Sequence, residues 1–535
     1  MRWLPGDRAR VARVSVRAAR SVPGGANRVA VLGPRRHRLA RTLRRRLPGT
    51  TVLVLPHRPE RQHLSLVGSA PLDLVVDTGA DGRLRRFRTC FFHLRPGGNY
   101  LVIDGAAELG AAPGPLGRLL AAAAATPAAP LRQVKVPPRL SELRALRGHV
   151  VARRMGRDLL LSHDLPDVFT EVREEIVNDL LPRLPGGHRV LRVIDGEVPP
   201  LPEVREGPVP RAKYDGLGLC SVPLSLREYR DAVVAPYQVV LTGAVVLPDS
   251  FRHNQSRQLR NKALAGVSPR HVVPVSPLPA VPPRLDGTWL HLDDEARGHF
   301  GHLLTETLSR VWAWPEALAV DPGCRVVVCA TEKRPALLDY ELEIYAACGI
   351  PAERVVLVEG PTLVERLISG TPMLCNPHYV HPRIVEVWDA VGDRLAAQAP
   401  PRPWPRRIFV GRREPRRPCR NPEEVEAQFR AHGFEVVHPE DHCLGDQVRM
   451  FRAAEVVAGF GGSGLFQLAF VPRPVRVVEV VSDAYHPRNE FLIAAVRGHR
   501  VDTVVCRAER RTMQSPFAYD ARREGAFLRE TLAGL

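Results

Sequence analysis

From residue 408 onward, short β-branched runs alternate with helix-length polar stretches, and that alternation leaves few folds open. "RIFVGR" is strand-like, "NPEEVEAQFRAHG" helix-like, "FEVVHP" strand-like, "LGDQVRMFRAA" helix-like and "EVVAGF" strand-like again. The first of these helices carries Asn421 as N-cap, Pro422 in its first turn and Gly433 as its stop. Residues 209–398 have the same texture. "YQVVLTGAVVLP", "TWLHLD", "RVVVCAT" and "ERVVLVEG" read as strands, and "GHFGHLLTETLSRVWAWPEAL", "PALLDYELEIYAACG" and "HPRIVEVWDAVGDRLAAQ" as helices. The proline-rich "APPRPWPRR" at 399–407 reads as a hinge between these halves. Alternation of this kind predicts two parallel-sheet α/β domains facing a cleft, with ligands outside the carboxyl ends of the strands.

One of those strand ends is rich in glycine. In "VVAGFGGSGLFQLAFVPRPVRVVEVV", Gly459, Gly461, Gly462 and Gly464 follow a strand and open a short apolar helix. Glycine permits positive φ and close backbone approach, and a turn opening a helix presents unpaired N–H groups that suit phosphate. Gly459-x-Gly461-x-x-Gly464 with Glu479 also matches the dinucleotide fingerprint. A tight turn with no ligand is the plainer alternative.

Ahead of these halves, residues 26–110 read as a smaller Rossmann-like α/β unit. "RVAVLG", "TTVLVLP" and "LDLVVDTG" are strands, "RLARTLRRRL" is helix-like, and "FRTCFFHLRPGGNYLVID" gives a helix, a Pro-Gly-Gly turn and a strand. Its "DLVVD…LRPGGNYLVID" ending resembles the later half of class I S-adenosylmethionine methyltransferases. It departs from them after the first strand, where "VLGPRRHR" has one glycine and then Pro34. It departs again at "VLPHRP", where those enzymes place an acid. The resemblance implies a degenerate methyltransferase-like fold with no cofactor. Residues 111–140 are an Ala/Pro-rich linker whose alanine run could be helical. Residues 141–208 alternate helix-like and strand-like pieces without an assigned role.

Net charge is +19, but 76 basic residues include only four lysines, Lys135, Lys213, Lys262 and Lys333. Arginine is spread through the chain with little aromatic interleaving, so nucleic acid is not the expected partner. Phosphate-bearing ligands suit so basic a protein. Nine scattered cysteines form no C-x-x-C pair and read as reduced thiols of a cytoplasmic protein. Residues 1–25 are basic without an apolar core, so they are neither a secretory signal nor a span. They read as a disordered basic tail able to touch an anionic membrane surface.

Two groups of residues carry chemistry. His302, Glu306 and Arg310 recur at i, i+4 and i+8 in "FGHLLTETLSRVW", with Leu303, Leu304, Leu308 and Val311 left to face a core. A histidine oriented by a carboxylate is a general base. The plainer reading is a surface stripe of ion pairs worth about 0.2–0.5 kcal/mol each. A metal site of His299, His302 and Glu306 is weaker, and the chain has no D-x-D. Arg412 and Arg413 follow the strand "RIFVG" and could clamp a diphosphate.

Taken together, "FGHLLTETLSRVW", "YVHPRIVEVWD" and the long segment from "RIFVGRRE" to "RVVEVV" resemble glycosyltransferase family 61. Bacterial members of that family are often labelled capsular polysaccharide biosynthesis proteins. The resemblance covers roughly residues 209–510. It implies a GT-B-like pair of Rossmann-type domains, an acceptor half at 209–398 and a nucleotide-sugar half at 408–535. It also implies inverting transfer from a nucleotide-sugar, a UDP-sugar first, to a glycan or glycoconjugate hydroxyl, with no metal and no cofactor. The matching positions are His302 and Glu306 as catalytic residues. Arg412, Arg413, Gln447, Gly459, Gly461, Gly462, Ser463, Gly464 and Glu479 are the donor-binding set, Glu479 on the ribose, and Arg310, Asn421 and Glu424 are supporting. The family's turn begins Gly-Pro-His-Gly-Ala-Gly, so Gly461 stands where its histidine would be. Three other readings stay open: an NAD-dependent oxidoreductase, an S-adenosylmethionine-dependent enzyme, and a non-enzymatic scaffold in a polysaccharide pathway.

Overall fold

A computed structural model of the chain describes residues 5–34, 36–57, 59–69, 71–129, 131, 137–208, 214, 218–413 and 417–535. Residue 209, the expected start of the acceptor half, lies outside the described residues. Three main sheets order the chain, and the fold is α/β.

The first sheet has six strands. Thr51–Val54, Arg28–Leu32, Leu72–Asp77 and Leu94–Val102 are parallel, and the hairpin Val150–Met155/Asp158–His163 adds two antiparallel strands. The basic N-terminus is not a disordered tail. Pro5–Arg20 is a helix, because Val11, Ala12, Ser15, Ala18 and Ala19 repeat at helical spacing and are buried. Its apolar face packs with Val29, Val31, Leu74 and Leu101 of the sheet. Asn99 Nδ2, in the sheet, donates to Ala18 O at 3.0 Å. The alanine run is also helical, Pro115–Ala125, and its Leu116 and Ala123 join the core on the other face of the sheet.

The second sheet has eleven strands and is mixed, not parallel throughout. Thr362–Gly370, Arg284–His291, Arg325–Cys329 and Val355–Val358 form its parallel part. On the far side of Thr362–Gly370, the long strand Leu224–Ala235 pairs antiparallel and leads into tight connections. Short hairpins cannot make parallel pairs, so this half of the sheet is antiparallel except where Val245–Val246 pairs parallel with Phe169–Glu171, a strand from far upstream. The third sheet has seven strands, with Arg407–Val410, Glu435–Val437, Val456–Phe460, Arg476–Ser482 and Arg500–Ala508 all parallel.

The stretch 141–208, to which the sequence assigns no role, is shared among all three sheets. Residues 150–163 complete the first, Phe169–Glu171 and Arg189–Ile194 join the second, and Val204–Gly207 pairs parallel with Arg500–Ala508 in the third. The second and third sheets each keep a core of their own on one face and share a larger one on the other. Leu304, Leu308, Trp388, Val448, Leu465 and Phe491 belong to one buried cluster that runs through both. Among the described residues, no helix is long and apolar enough to cross a membrane.

Packing of the N-terminal helix makes a direct prediction. Burying one valine fully is worth about 1.5–3 kcal/mol, and the helix also supplies the acceptor for Asn99. Removal of residues 1–20 should therefore lower the denaturant midpoint of the first sheet, followed by tryptophan-independent far-UV circular dichroism. An unchanged unfolding curve would mean the helix contributes no packing.

Candidate active site

The carboxyl end of strand Arg284–His291 runs into "LDDEARGHFGH", which delivers Asp293, Asp294 and then His302. The following segment is not a uniform helix. One α turn, Phe300–His302, widens to a π turn over Leu303–Thr307 and tightens to a 3-10 turn over Leu308–Arg310. Side chains take up the helix carbonyls here. Thr305 Oγ1 donates to Gly301 O at 2.8 Å, Ser309 Oγ to Glu306 O at 2.6 Å, and Trp388 Nε1 to Leu304 O at 3.0 Å. Such competition loosens a helical ladder, and π turns collect at functional sites.

His302 and Glu306 remain neighbours, with Nδ1 3.1 Å from Oε2. Glu306 is buried, and its Oε1 takes a 2.6 Å hydrogen bond from Arg252 Nε. Burial pushes the Glu306 carboxyl up, but the charges of His302 and Arg252 outweigh it and hold the group well below the usual carboxylate range. Arg310 departs from the expected stripe. The change of helical pitch buries it, and its Nη1 donates to Asp293 O at 2.8 Å. Asp294 lies in the same buried cluster. Burial first, and then the Glu306 charge, push its carboxyl up to about 7, against His302, Arg252 and Arg310. The rings of His299 and His302 are 4.5 Å apart. Among the described residues, no group of three or more His, Cys, Asp or Glu could hold a metal ion.

The glycine turn lies at the carboxyl end of Val456–Phe460 and opens an eight-residue 3-10 helix, Ser463–Phe470, instead of a long α-helix. Gly462 has φ +138°, which only glycine adopts readily. A side chain there would meet Arg417 Nη2 at 2.9 Å and Arg412 Nη2 at 3.1 Å, so two guanidinium groups flank it. Arg412 Nη2 donates to Gly461 O at 2.6 Å. Arg417 lies 4.6 Å from the Tyr485 ring centroid. Arg413 turns away and forms an ion pair with Asp441. Gly459 and Gly464 serve packing, since a Cβ on either would press on Val410.

At Gly461, a Cβ would lie 2.4 Å from Val481 Cγ1 and 3.2 Å from Glu479 Oε2. The direction a histidine would take is therefore filled by the next strand. Glu479 is fully buried, and its Oε1 accepts from Tyr214 OH at 2.7 Å and Thr503 Oγ1 at 2.9 Å. It forms the floor beneath the turn and is enclosed, not open to a ribose. Gln447 is internal too. It accepts from Gln467 Nε2 at 2.6 Å and donates to His442 O at 2.9 Å, which props the 3-10 helix from beneath. Asn421 makes no side-chain cap to its helix. Its Nδ2 donates to Glu424 Oε2 at 2.6 Å and Tyr519 O at 2.8 Å, tying the helix to the segment just after strand Phe517–Ala518.

The two motifs meet although about 160 residues separate them. A Cβ on Gly301 would lie 2.6 Å from Ser463 Cβ and 3.0 Å from the Phe466 ring, so the backbone before His302 rests directly on the head of the glycine turn. Further contacts join the halves nearby, including Asn376 Nδ2 to Asn489 Oδ1 at 2.9 Å. Several of these groups escaped the sequence reading. Arg252 and His253 come from "FRHNQ", where His253 Nδ1 donates to Asn376 O at 2.7 Å. Asp294 comes from an adjacent acid pair, and Arg417, Tyr214 and Tyr485 come from loops. "FRHNQ" directly after an apolar strand was a legible signal; single loop residues carried none.

In the first sheet, the corresponding crevice is filled by the chain itself. Arg86 Nε lies 2.8 and 2.9 Å from the two Asp77 oxygens, and Tyr100 OH donates to Asp77 Oδ2 at 3.1 Å. A Cβ on Gly33 would meet Gly79 N at 2.7 Å, so the loops after two neighbouring strands close on each other.

The ion pair at Glu306 gives a pH signature. Its carboxyl is depressed below the ordinary value of 4.5, so the stabilisation is present above that value and lost as pH falls through the folded one. Glu306→Gln should lower unfolding stability by about 3–5 kcal/mol at neutral pH, because Arg252 is left without its buried partner. The gap to the parent protein should narrow progressively below about pH 4 in denaturant titrations. A gap that stays constant with pH would remove the charge from the account.

Residues 300–478 match the family model described as Glycosyltransferase 61. No curated protein matches the chain. Among solved structures, the MycE methyltransferase from the mycinamycin biosynthetic pathway, in complex with Mg and SAH, is similar at 16% identity and a TM-score of 0.22. That similarity covers 30% of this chain and 49% of the other, so the chain spans about half the length of that structure. The matched segment, about a third of the chain, holds both His302 and the glycine turn and is similar to glycosyltransferase 61 domains.

Proposed function

We propose that the chain is an inverting glycosyltransferase that moves a sugar from a nucleoside-diphosphate donor, a UDP-sugar first, to a hydroxyl of a polysaccharide or glycoconjugate. The close approach of Gly301 to Ser463 supports this reading, since it brings the segment that carries His302 against the glycine turn. The donor diphosphate sits over Gly462 and Ser463, with Arg412 and Arg417 on either side neutralising charge as it leaves. Arg413, held by Asp441, plays no part in that clamp.

Glu306 faces Nδ1 of His302, which leaves Nε2 for the acceptor. The acceptor oxygen attacks the anomeric carbon as Nε2 takes its proton. The bond from that carbon to the phosphate oxygen breaks, and the nucleoside diphosphate departs with the electron pair. Glu306, charged and paired with Arg252, stabilises the imidazolium that forms. Glu479 acts indirectly by holding Tyr214 and the floor of the turn.

A thermal-shift panel of UDP, GDP, TDP and their sugars tests the donor. Ligand at roughly 100 times Kd adds about 2.7 kcal/mol. One base should stabilise the parent and His302→Gln alike, while His302→Gln loses transfer by about 10²–10⁴-fold. No shift with any nucleoside diphosphate would sink the transferase reading in favour of a scaffold, and undiminished transfer in His302→Gln would remove it as the base.

A further inference from the structure

With 72 arginines in the chain, one more on the surface means little. One groove differs because its lining is almost nothing else. Arg13, Val16, Arg17 and Arg20 occupy i, i+3, i+4 and i+7 of helix Pro5–Arg20 and face Arg46, in the last turn of helix Arg36–Arg46, across a groove of about 510 Å³. All four arginines are exposed. Among the described residues, no carboxylate lines the groove. Among the described residues, none of the four makes an ion pair, whereas Arg205, Arg402, Arg413 and Arg476 elsewhere all have acidic partners. The acid of the helix's first turn, Asp7, is engaged by Arg10 and Arg157.

Burial fixes this arrangement. Val11, Ala12, Ser15, Ala18 and Ala19 anchor the opposite face of the helix, so the arginines cannot rotate apart without unpacking the first sheet. Like charges held together this way need anions from outside the chain. We propose that this groove docks the protein on an anionic, phosphate-bearing lipid surface. Guanidinium forks match phosphate oxygens two at a time. A surface-lying helix that turns its arginines outward suits contact with anionic headgroups, while Val16 stays packed against the core of the first sheet. Nucleic acid fits less well, because no aromatic side chain among the described residues lines the groove for base stacking. The inference is independent of the transfer chemistry at His302.

Co-sedimentation of the full chain with phosphatidylcholine vesicles, with and without phosphatidylglycerol, tests it. The protein should pellet with the anionic vesicles alone. Arg13→Gln, Arg17→Gln, Arg20→Gln and Arg46→Gln combined should weaken that binding by about tenfold or more, and the lighter pair Arg17→Gln and Arg46→Gln should weaken it in part. A control with the same charge change, Arg510→Gln, Arg511→Gln, Arg522→Gln and Arg529→Gln, should bind as the parent does. Far-UV circular dichroism checks that each variant is folded. No preference for anionic vesicles overturns the proposal, and so does equal weakening in groove and control variants, which would assign binding to bulk charge. Displacement by inorganic phosphate at matched ionic strength also overturns it, by making the groove a site for a soluble phosphate compound.

Discussion

The Glu306 carboxylate is the constraint on which the active-site region depends. A buried charge without partners costs several kcal/mol, so Arg252 and His302 must both be at hand. Arg252 belongs to the loop beyond strand Val245–Val246, and His302 to the first turn after the Asp293–Asp294 bend. Placing one carboxylate therefore fixes two loops of the second sheet against each other. The π turn follows from the same crowding, since Thr305, Ser309 and Trp388 take carbonyls that a regular helix would keep.

Around the glycine turn, the chain spends its polar groups differently. Arg412 bonds the carbonyl side of the turn, and Glu479 and Gln447 support it from within. Only at Gly462 does the backbone take a conformation reserved for glycine, and there the two guanidinium groups converge. The shape of the turn rests on that residue more than on the spacing of all four glycines.

Much of this was legible in the sequence. Strand and helix order from 408 onward follows the apolar periodicity, and His302 with Glu306 keeps its i, i+4 contact. What failed was geometry that periodicity does not encode. Arg310 was expected on the same face, but a change of helical pitch turned it inward. The N-terminal residues carry too many arginines to look like a packed helix by average hydropathy, although Val11, Ala12, Ser15, Ala18 and Ala19 are spaced to form one. Glu479 sits at the right place in sequence for a ribose ligand. Tyr214, far away in the chain and in a stretch without periodicity, is what encloses it.

Strand Val204–Gly207 reaches the third sheet before the chain has built most of the second. Its Arg205 gives Asp502 one of two guanidinium partners, the other being Arg476, and also binds Glu530 and Thr531 of the last helix. The chain is therefore laced: its C-terminal half is closed by a strap from upstream of its partner. A gene fragment begun at the proline-rich segment would encode a sheet with an open edge and a buried acid short of one cation. The proline-rich segment therefore marks no boundary at which the protein can be divided.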